Sequence, residues 1–147
     1  MGGATGVTVA RGVVYVGSGD GKLYAVRAAD GSKLWASSAG GAVESGIAVA
    51  DGVVYLGTNG NTVLAVRAGS GRQAWQASTD GPVTSGITVA RGIVYAGGND
   101  YVVPALRASD GGPLWQFAAG GPVESQIAVA GRTGYVGSND FRVYALR

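Results

Sequence analysis

Apolar residues in this chain alternate with small or polar ones in short runs, and turn residues break those runs every eight to ten positions. Residues 45–84 show the pattern. Ser-Gly-Ile-Ala-Val-Ala at 45–50 alternates as a half-buried strand does. Asp51-Gly52 is a two-residue turn of the kind that needs positive φ, and it leads into the β-branched and aromatic run Val53 to Thr58. Asn59-Gly60-Asn61 turns the chain into a third strand at 62–67. Ser70-Gly71 turns it into a fourth at 73–77. A longer link then runs from Trp75 to Ser85. No stretch repeats its apolar residues every 3.6 positions, so helical solenoids are excluded.

The same pattern recurs every forty residues. Trp35, Trp75 and Trp115 are forty apart, and so are Tyr15, Tyr55, Tyr95 and Tyr135. Gly17, Gly57, Gly97 and Gly137 keep the same step, with no insertion or deletion between copies. A fixed period of this length marks a solenoid, propeller or array, and four antiparallel strands per period make a propeller blade. The expected fold is therefore all-β: one propeller domain over residues 1–147, with blades at 5–44, 45–84, 85–124 and 125–147. The last of these carries three strands. The Gly-His and Trp-Asp signatures of WD40 blades are missing, and the kelch period is longer.

Composition narrows the chemistry. Glycine is in excess at 28 residues, but at fixed offsets, so it marks turns and not low complexity. With no cysteine and no histidine, disulfides, thiolate metal sites and imidazole catalysis are excluded. The apolar runs are too short to span a bilayer. The start, Met-Gly-Gly-Ala-Thr-Gly, lacks the basic and apolar regions of a signal peptide, which gives a cytoplasmic expectation for the chain as expressed. A net charge of +2 does not argue for nucleic acid. The charges nevertheless sort by face. The turns joining strands one to two and three to four carry nine positive and three negative residues, and the opposite rim carries two positive and six negative. Arg27, Arg67, Arg107 and Arg147 are the repeated part of the basic face, a candidate surface for an acidic protein or small ligand. Copying of one turn through a repeat produces the same bias without any partner.

Ala25-Val-Arg-Ala-Ala-Asp-Gly-Ser-Lys-Leu-Trp35 resembles the tryptophan-docking motif of the pyrroloquinoline-quinone-repeat propellers, Ala-x-Asp-x-x-Thr-Gly-x-x-x-Trp. Residues 65–75 and 105–115 match again. The resemblance implies that Trp35, Trp75 and Trp115 dock between blades beside the turn glycines Gly31, Gly71 and Gly111. At the third motif position this chain has Arg where the family usually has Asp. Arginine cannot accept a hydrogen bond, so the turn-capping role is vacated there and the guanidinium is expected to reach an adjacent blade.

The same resemblance raises the reading of a quinone dehydrogenase fragment. Those enzymes need a Ca²⁺ site of Glu, Asn and Asp, a catalytic Asp and commonly a cysteine pair. This chain has no cysteine, and its acids sit at repeat-equivalent turns. Glu44, Thr84 and Glu124 fall at the expected mouth of the central funnel, where a solvated rim is the plainer reading. Catalytic, cofactor-binding and metal-binding residues are therefore expected to be none. Tyr101 and Phe141 replace Gly21 and Asn61 in one series of turns as candidate contacts, and Pro104 inside a strand predicts a local bulge with a loosened fourth strand.

An open arc of four blades would expose the apolar flanks of its two end blades. Three arrangements answer this: two chains closing an eight-bladed ring, which is favoured; one chain closing as four blades; or half of a longer propeller. Propellers resembling this one serve as extracytoplasmic sensor domains of bacterial kinases and as outer-membrane assembly lipoproteins. The glycine-, alanine- and arginine-rich usage fits a bacterial source. The functional expectation is a non-catalytic scaffold that binds a protein or small ligand and self-assembles, beside the dehydrogenase fragment and a purely architectural module. The expected partner is a second copy, with no nucleic acid and no membrane insertion.

Overall fold

The computed structural model describes residues 4–147, with side chains from Gly6 onward. The start at residues 1–3 lies outside the described residues. Four antiparallel meanders follow one another along the chain. The first is β1 (Ala4–Ala10), β2 (Val13–Ser18), β3 (Lys22–Arg27) and β4 (Lys33–Ser38). The second is β5 (Ala48–Ala50), β6 (Val53–Thr58), β7 (Thr62–Arg67) and β8 (Gln73–Ser78). The third is β9 (Thr88–Ala90), β10 (Ile93–Tyr95), β11 (Val102–Arg107) and β12 (Pro113–Ala118). The fourth, with three strands, is β13 (Ala128–Ala130), β14 (Thr133–Ser138) and β15 (Arg142–Leu146). These are propeller blades in an all-β chain.

The turns follow their residues. Asp51 and Gly52 sit at φ 50° and 75°, and Arg11-Gly12 and Arg91-Gly92 repeat that geometry. Both central residues at positive φ make the turn whose twist matches the flanking strands.

In blades 2 to 4 the first strand is shorter than the alternation at 45–50 predicts, β5 starting at Ala48, whereas β1 runs over seven residues. Ser45 leaves the ladder because its side chain takes over the pairing. Its hydroxyl accepts from the Gly57 N–H (2.7 Å) and donates to the Gly57 carbonyl (3.1 Å). Ser125 clamps Gly137 in the same way at 3.1 Å for both bonds. Both backbone groups of a glycine with no side chain of its own are thus satisfied by one hydroxyl.

The effect of Pro104 falls on the opposite side from the one expected. Register shifts between β11 and β12 at Ala105/Leu106, but the same shift occurs at Ala25/Val26 and Ala65/Val66, so it belongs to the repeat and not to proline. The strand that suffers is β10, which stops at Tyr95 and pairs three residues with β11 where β6 pairs six with β7. Residue 104 directs its backbone toward the second strand. With no N–H to give, only the weak Ala96 N–H to Pro104 carbonyl bond remains, at 3.4 Å. Replacing Pro104 with Leu, the residue at position 64, restores a ladder donor and fills part of a cavity of about 250 Å³ beside Pro104, Leu106 and Trp115. The expected gain is about 1 kcal/mol, read as a higher unfolding midpoint in urea.

The core lies between blades. One face of blade 1 presents Tyr15, Leu23 and Ala25 to Ile47, Val54, Leu56, Leu64 and Val66 of blade 2. Tyr55, Val63 and Ala65 meet Ile87, Val94, Ala96 and Leu106 of blade 3, and Tyr95, Val103 and Ala105 meet Ile127, Val136 and Leu146 of blade 4. Each fully buried Val or Leu contributes about 1.5–3 kcal/mol, so blade-to-blade packing, not pairing within blades, holds the arc together. Inner strands approach closely at glycine: a β-carbon on Gly46 would stand 3.1 Å from the Gly86 Cα.

Candidate functional site: two open blade faces

Repeat symmetry makes each residue's environment comparable with its siblings, and the departures collect at the two ends. On blade 4, Tyr135 is 43% exposed whereas Tyr15, Tyr55 and Tyr95 are 4%, 4% and 7% exposed. Val143 is 76% exposed whereas Leu23, Val63 and Val103 are 1%, 0% and 0%. Ala145 is exposed, and its siblings Ala25, Ala65 and Ala105 are buried. On blade 1 the reverse face is bare. Val7 is 60% exposed against 8%, 1% and 2% for Ile47, Ile87 and Ile127. Val9 is exposed as well.

These two faces are not two copies of one surface. Tyr135, Val143 and Ala145 occupy the positions that each internal blade turns toward its successor. Val7, with Val14, Val16 and Val26, occupies those that each blade turns toward its predecessor. Together they are the two halves of the interface already made three times inside the chain.

The tryptophans follow the same logic. The Trp35 indole N–H donates to the Ala68 carbonyl at 2.9 Å, and a β-carbon on Gly71 would lie 2.7 Å from the Trp35 ring. Trp75 repeats this on Ala108 (2.8 Å) and Gly111 (2.5 Å). Each ring also tilts against the tyrosine of its own blade, at 6.0, 5.9 and 5.9 Å between centroids for Trp35, Trp75 and Trp115. Gly31 has nothing within 4 Å of a built β-carbon, so no ring covers it. Trp115 lines an open cleft with Ala145, Leu146 and Arg147.

Arg27 and Arg107 turn inward on their own loops rather than reaching an adjacent blade. Arg27 pairs with Asp30 at 3.3 Å and Arg107 with Asp110 at 2.9 Å, both three residues on. Arg67 has Ser70 in the corresponding place and is exposed, as is Arg147. The turn-capping role vacated by arginine passes to these aspartates: Asp30 accepts from the Ser32 N–H at 3.0 Å and Asp110 from the Gly112 N–H at 2.8 Å. A three-residue reach is short enough to win over a neighbouring blade. Exposed pairs of this kind contribute little.

These hydrogen bonds hold both carboxyls below the usual carboxylate range: the Ser32 hydroxyl and backbone first for Asp30, the Gly112 N–H and then Arg107 for Asp110. A depressed folded pKa means that the stabilisation is present above the ordinary carboxylate range and is lost as pH falls through the folded value. Because the Gly112 N–H is the largest single cause at Asp110 and Arg107 acts beside it, Arg107→Gln should raise the carboxyl's pKa while leaving it below the ordinary range. An NMR titration of the Asp110 carboxyl carbon checks this.

Of the residues expected at a funnel rim, Glu44 and Glu124 are exposed and Thr84 is half-buried, with an unpartnered Oγ1. Among the described residues no group of three or more acidic, histidine or cysteine side chains is placed to hold a metal. The acidic rim is partly engaged by tyrosines: Tyr24 donates to Asp20 at 2.7 Å, and Tyr144 donates to Asp140. Tyr101 and Phe141 hold φ of 65° and 67°, a region L side chains avoid, and Phe141 is fully exposed. Among the described residues no helix is long and apolar enough to cross a membrane.

Four-stranded antiparallel blades stacked face to face through repeat-equivalent cores define a β-propeller. The sequence matches the family model described as outer membrane protein assembly factor BamB over residues 1–82 and again over 59–147, and the chain belongs to this PQQ-repeat family. A search of curated protein sequences returns no match. Among solved structures it is similar to the computationally designed protein Ika4 (TM-score 0.90, 18% identity, 99% of this chain and 91% of that one). It is similar also to the computationally designed Ika8 (TM-score 0.89, 18% identity, 97% of this chain and 45% of that one). BamB from Moraxella catarrhalis aligns with TM-score 0.84 and 21% identity over 95% of this chain and 43% of that one. At these identities the likeness is one of fold. The chain spans less than half the length of the latter two.

Proposed function

We propose that this protein is a non-catalytic propeller scaffold whose first activity is self-assembly, two chains joining head to tail into a closed ring of eight blades. The observation that carries this is the pair of bare end faces, which are the two complementary halves of the packing inside the chain. An interface between unlike faces closes into a ring when the rotation per chain divides a full turn, and otherwise runs on into a filament. Eight blades close at about 45° each, within the range propellers use. Four blades then turn half a circle, and two chains suffice. The arc superimposes on under half of Ika8 and of the Moraxella BamB over nearly its whole length, which supports a curvature that needs about as much chain again.

The family model is named for an outer membrane protein assembly factor, and this favours scaffold over enzyme. The tryptophans serve as pins between blades in this reading, and the exposed rims are where a protein or small ligand would be met. Light scattering after size exclusion tests the assembly. A mass of about twice 14.6 kDa, stable on dilution, is expected. A single-chain mass at high concentration would overturn it.

A further inference from the structure

The turn between the second and third strands carries an aspartate at one fixed place in blades 1, 3 and 4: Asp20, Asp100 and Asp140. In each, Oδ1 accepts the backbone N–H two residues on, from Lys22 at 3.1 Å, Val102 at 3.4 Å and Arg142 at 3.1 Å. The blades part at the other oxygen. Tyr24 donates to Asp20 Oδ2, and Tyr144 donates to Asp140 Oδ2. At the sibling position blade 3 has Pro104, and among the described residues no donor reaches Asp100 Oδ2. Blade 2 has Gly60 with Leu64, neither acceptor nor hydroxyl. Only blade 3 keeps the carboxylate without the ring. The junction of blades 3 and 4 shows how such a ring sits. Tyr144 packs 4.9 Å from Phe117 of blade 3, centroid to centroid, and its oxygen accepts from the Gly120 N–H at 3.3 Å. One junction earlier, Ala77 stands for Phe117, Asp80 for Gly120 and Pro104 for Tyr144. Both rings give way to small side chains there, and a cavity of about 250 Å³ lies between blades 2 and 3. Asp80 and Asp100 are its charged walls, and Pro104, Leu106, Leu114 and Trp115 are apolar ones.

We infer that this cavity is a binding site for a phenol, a hydroxylated ring that takes the part played by Tyr24 and Tyr144 in their own blades. The ring packs on Pro104, Leu106 and Leu114. Its hydroxyl donates to Asp100 Oδ2 and accepts from the Asp80 N–H, as Tyr144 accepts from Gly120. A carboxylate only accepts, so a ring without a donor leaves Asp100 unanswered. The turn already holds that carboxylate through its Val102 bond, so little order is lost on binding. A bond to an ionised acceptor is also among the stronger ones available. The site lies between two blades of one chain and stands whether or not two chains close a ring.

The test uses the full chain with p-cresol as the probe, calorimetry for affinity and NMR for place. Saturable binding of one molecule per chain is expected, with shifts centred on the Val102 amide and the Trp115 indole. Toluene and 4-methylanisole keep the ring and lose the donor, and they should bind at least about tenfold more weakly. N-acetyltyrosine amide separates the two sources of such a ring. Tighter binding than p-cresol assigns the site to a tyrosine of another protein, and weaker binding assigns it to a free phenol. Pro104→Tyr supplies the ring from the chain itself and should abolish p-cresol binding. Asp100→Asn keeps an oxygen for the Val102 N–H but loses the charge, and should bring p-cresol down toward toluene. It carries the test if Pro104→Tyr does not fold. No saturable binding at millimolar p-cresol, equally tight binding of toluene or benzylamine, shifts centred elsewhere, or undiminished binding to the folded variants would each overturn the proposal.

Discussion

Val143→Asp is expected to leave each chain folded and to reduce the two-chain assembly to single chains. Within one chain Val143 is 76% exposed, so the new carboxylate stays in water and the fold has nothing to lose. In the assembled ring the same position becomes the sibling of Leu23, Val63 and Val103, none of which is more than 1% exposed. A carboxylate buried there without a partner costs several kcal/mol, and the ring contains the junction twice. The dissociation constant should rise by roughly a thousandfold or more, and light scattering should read one chain. Val63→Asp, the same change at an internal junction, should unfold the chain instead. Val7→Asp should also give single chains. Mixing the two variants should restore a two-chain species, because one junction then pairs unmutated Val143 with unmutated Val7. An interface of like with like predicts no such rescue, so the mixture tests head-to-tail geometry directly.

The blade order, strand sequence and turn chemistry were legible because the repeat states each signal several times. Asp51-Gly52 alone suggests a turn; with Arg11-Gly12 and Arg91-Gly92 in register it marks a blade corner. What could not be read were features that depend on direction in three dimensions. Pro104 announces a lost donor, but which neighbour loses it depends on which side its backbone faces, and alternation along a strand gives no sign of that. The reach of the arginines was misjudged because Asp30 and Asp110 lie three residues on in a turn that folds them back, a proximity that a linear spacing hides. Ser45, Ser85 and Ser125 recur at the blade entrance and could have been singled out by the period alone. That the Ser45 and Ser125 hydroxyls clamp the facing glycine, while Ser85 bonds Gly97 through its backbone N–H, needed coordinates. The open faces were anticipated in kind, from the count of blades. Their complementarity came from comparing the exposure of siblings.

The second large effect concerns the tryptophan pins, where the repeat provides its own control. Trp75→Ala removes a ring that is 8% exposed, its bond to the Ala108 carbonyl, its contact with Tyr55 and the cover over Gly111. Truncations of this size cost about 3–5 kcal/mol, a fall in Tm of about 6–20 °C at 2–4 °C per kcal/mol. Trp35→Ala, with the same dock on Ala68 and Gly71, should fall in the same range. Trp115 keeps its tyrosine contact but faces the open cleft, so Trp115→Ala should cost distinctly less. The glycines give the reverse measurement. Gly31 and Gly111 hold φ of 73° and 75°, so alanine at either bears the left-handed strain of about 1–2 kcal/mol. Only at Gly111 would the new methyl also strike a tryptophan, 2.5 Å away. Gly111→Ala should therefore exceed Gly31→Ala, and the excess measures the dock separately from the backbone. Equal losses at the three tryptophans, or equal losses at the two glycines, would show that the rings merely fill space and do not pin one blade to the next.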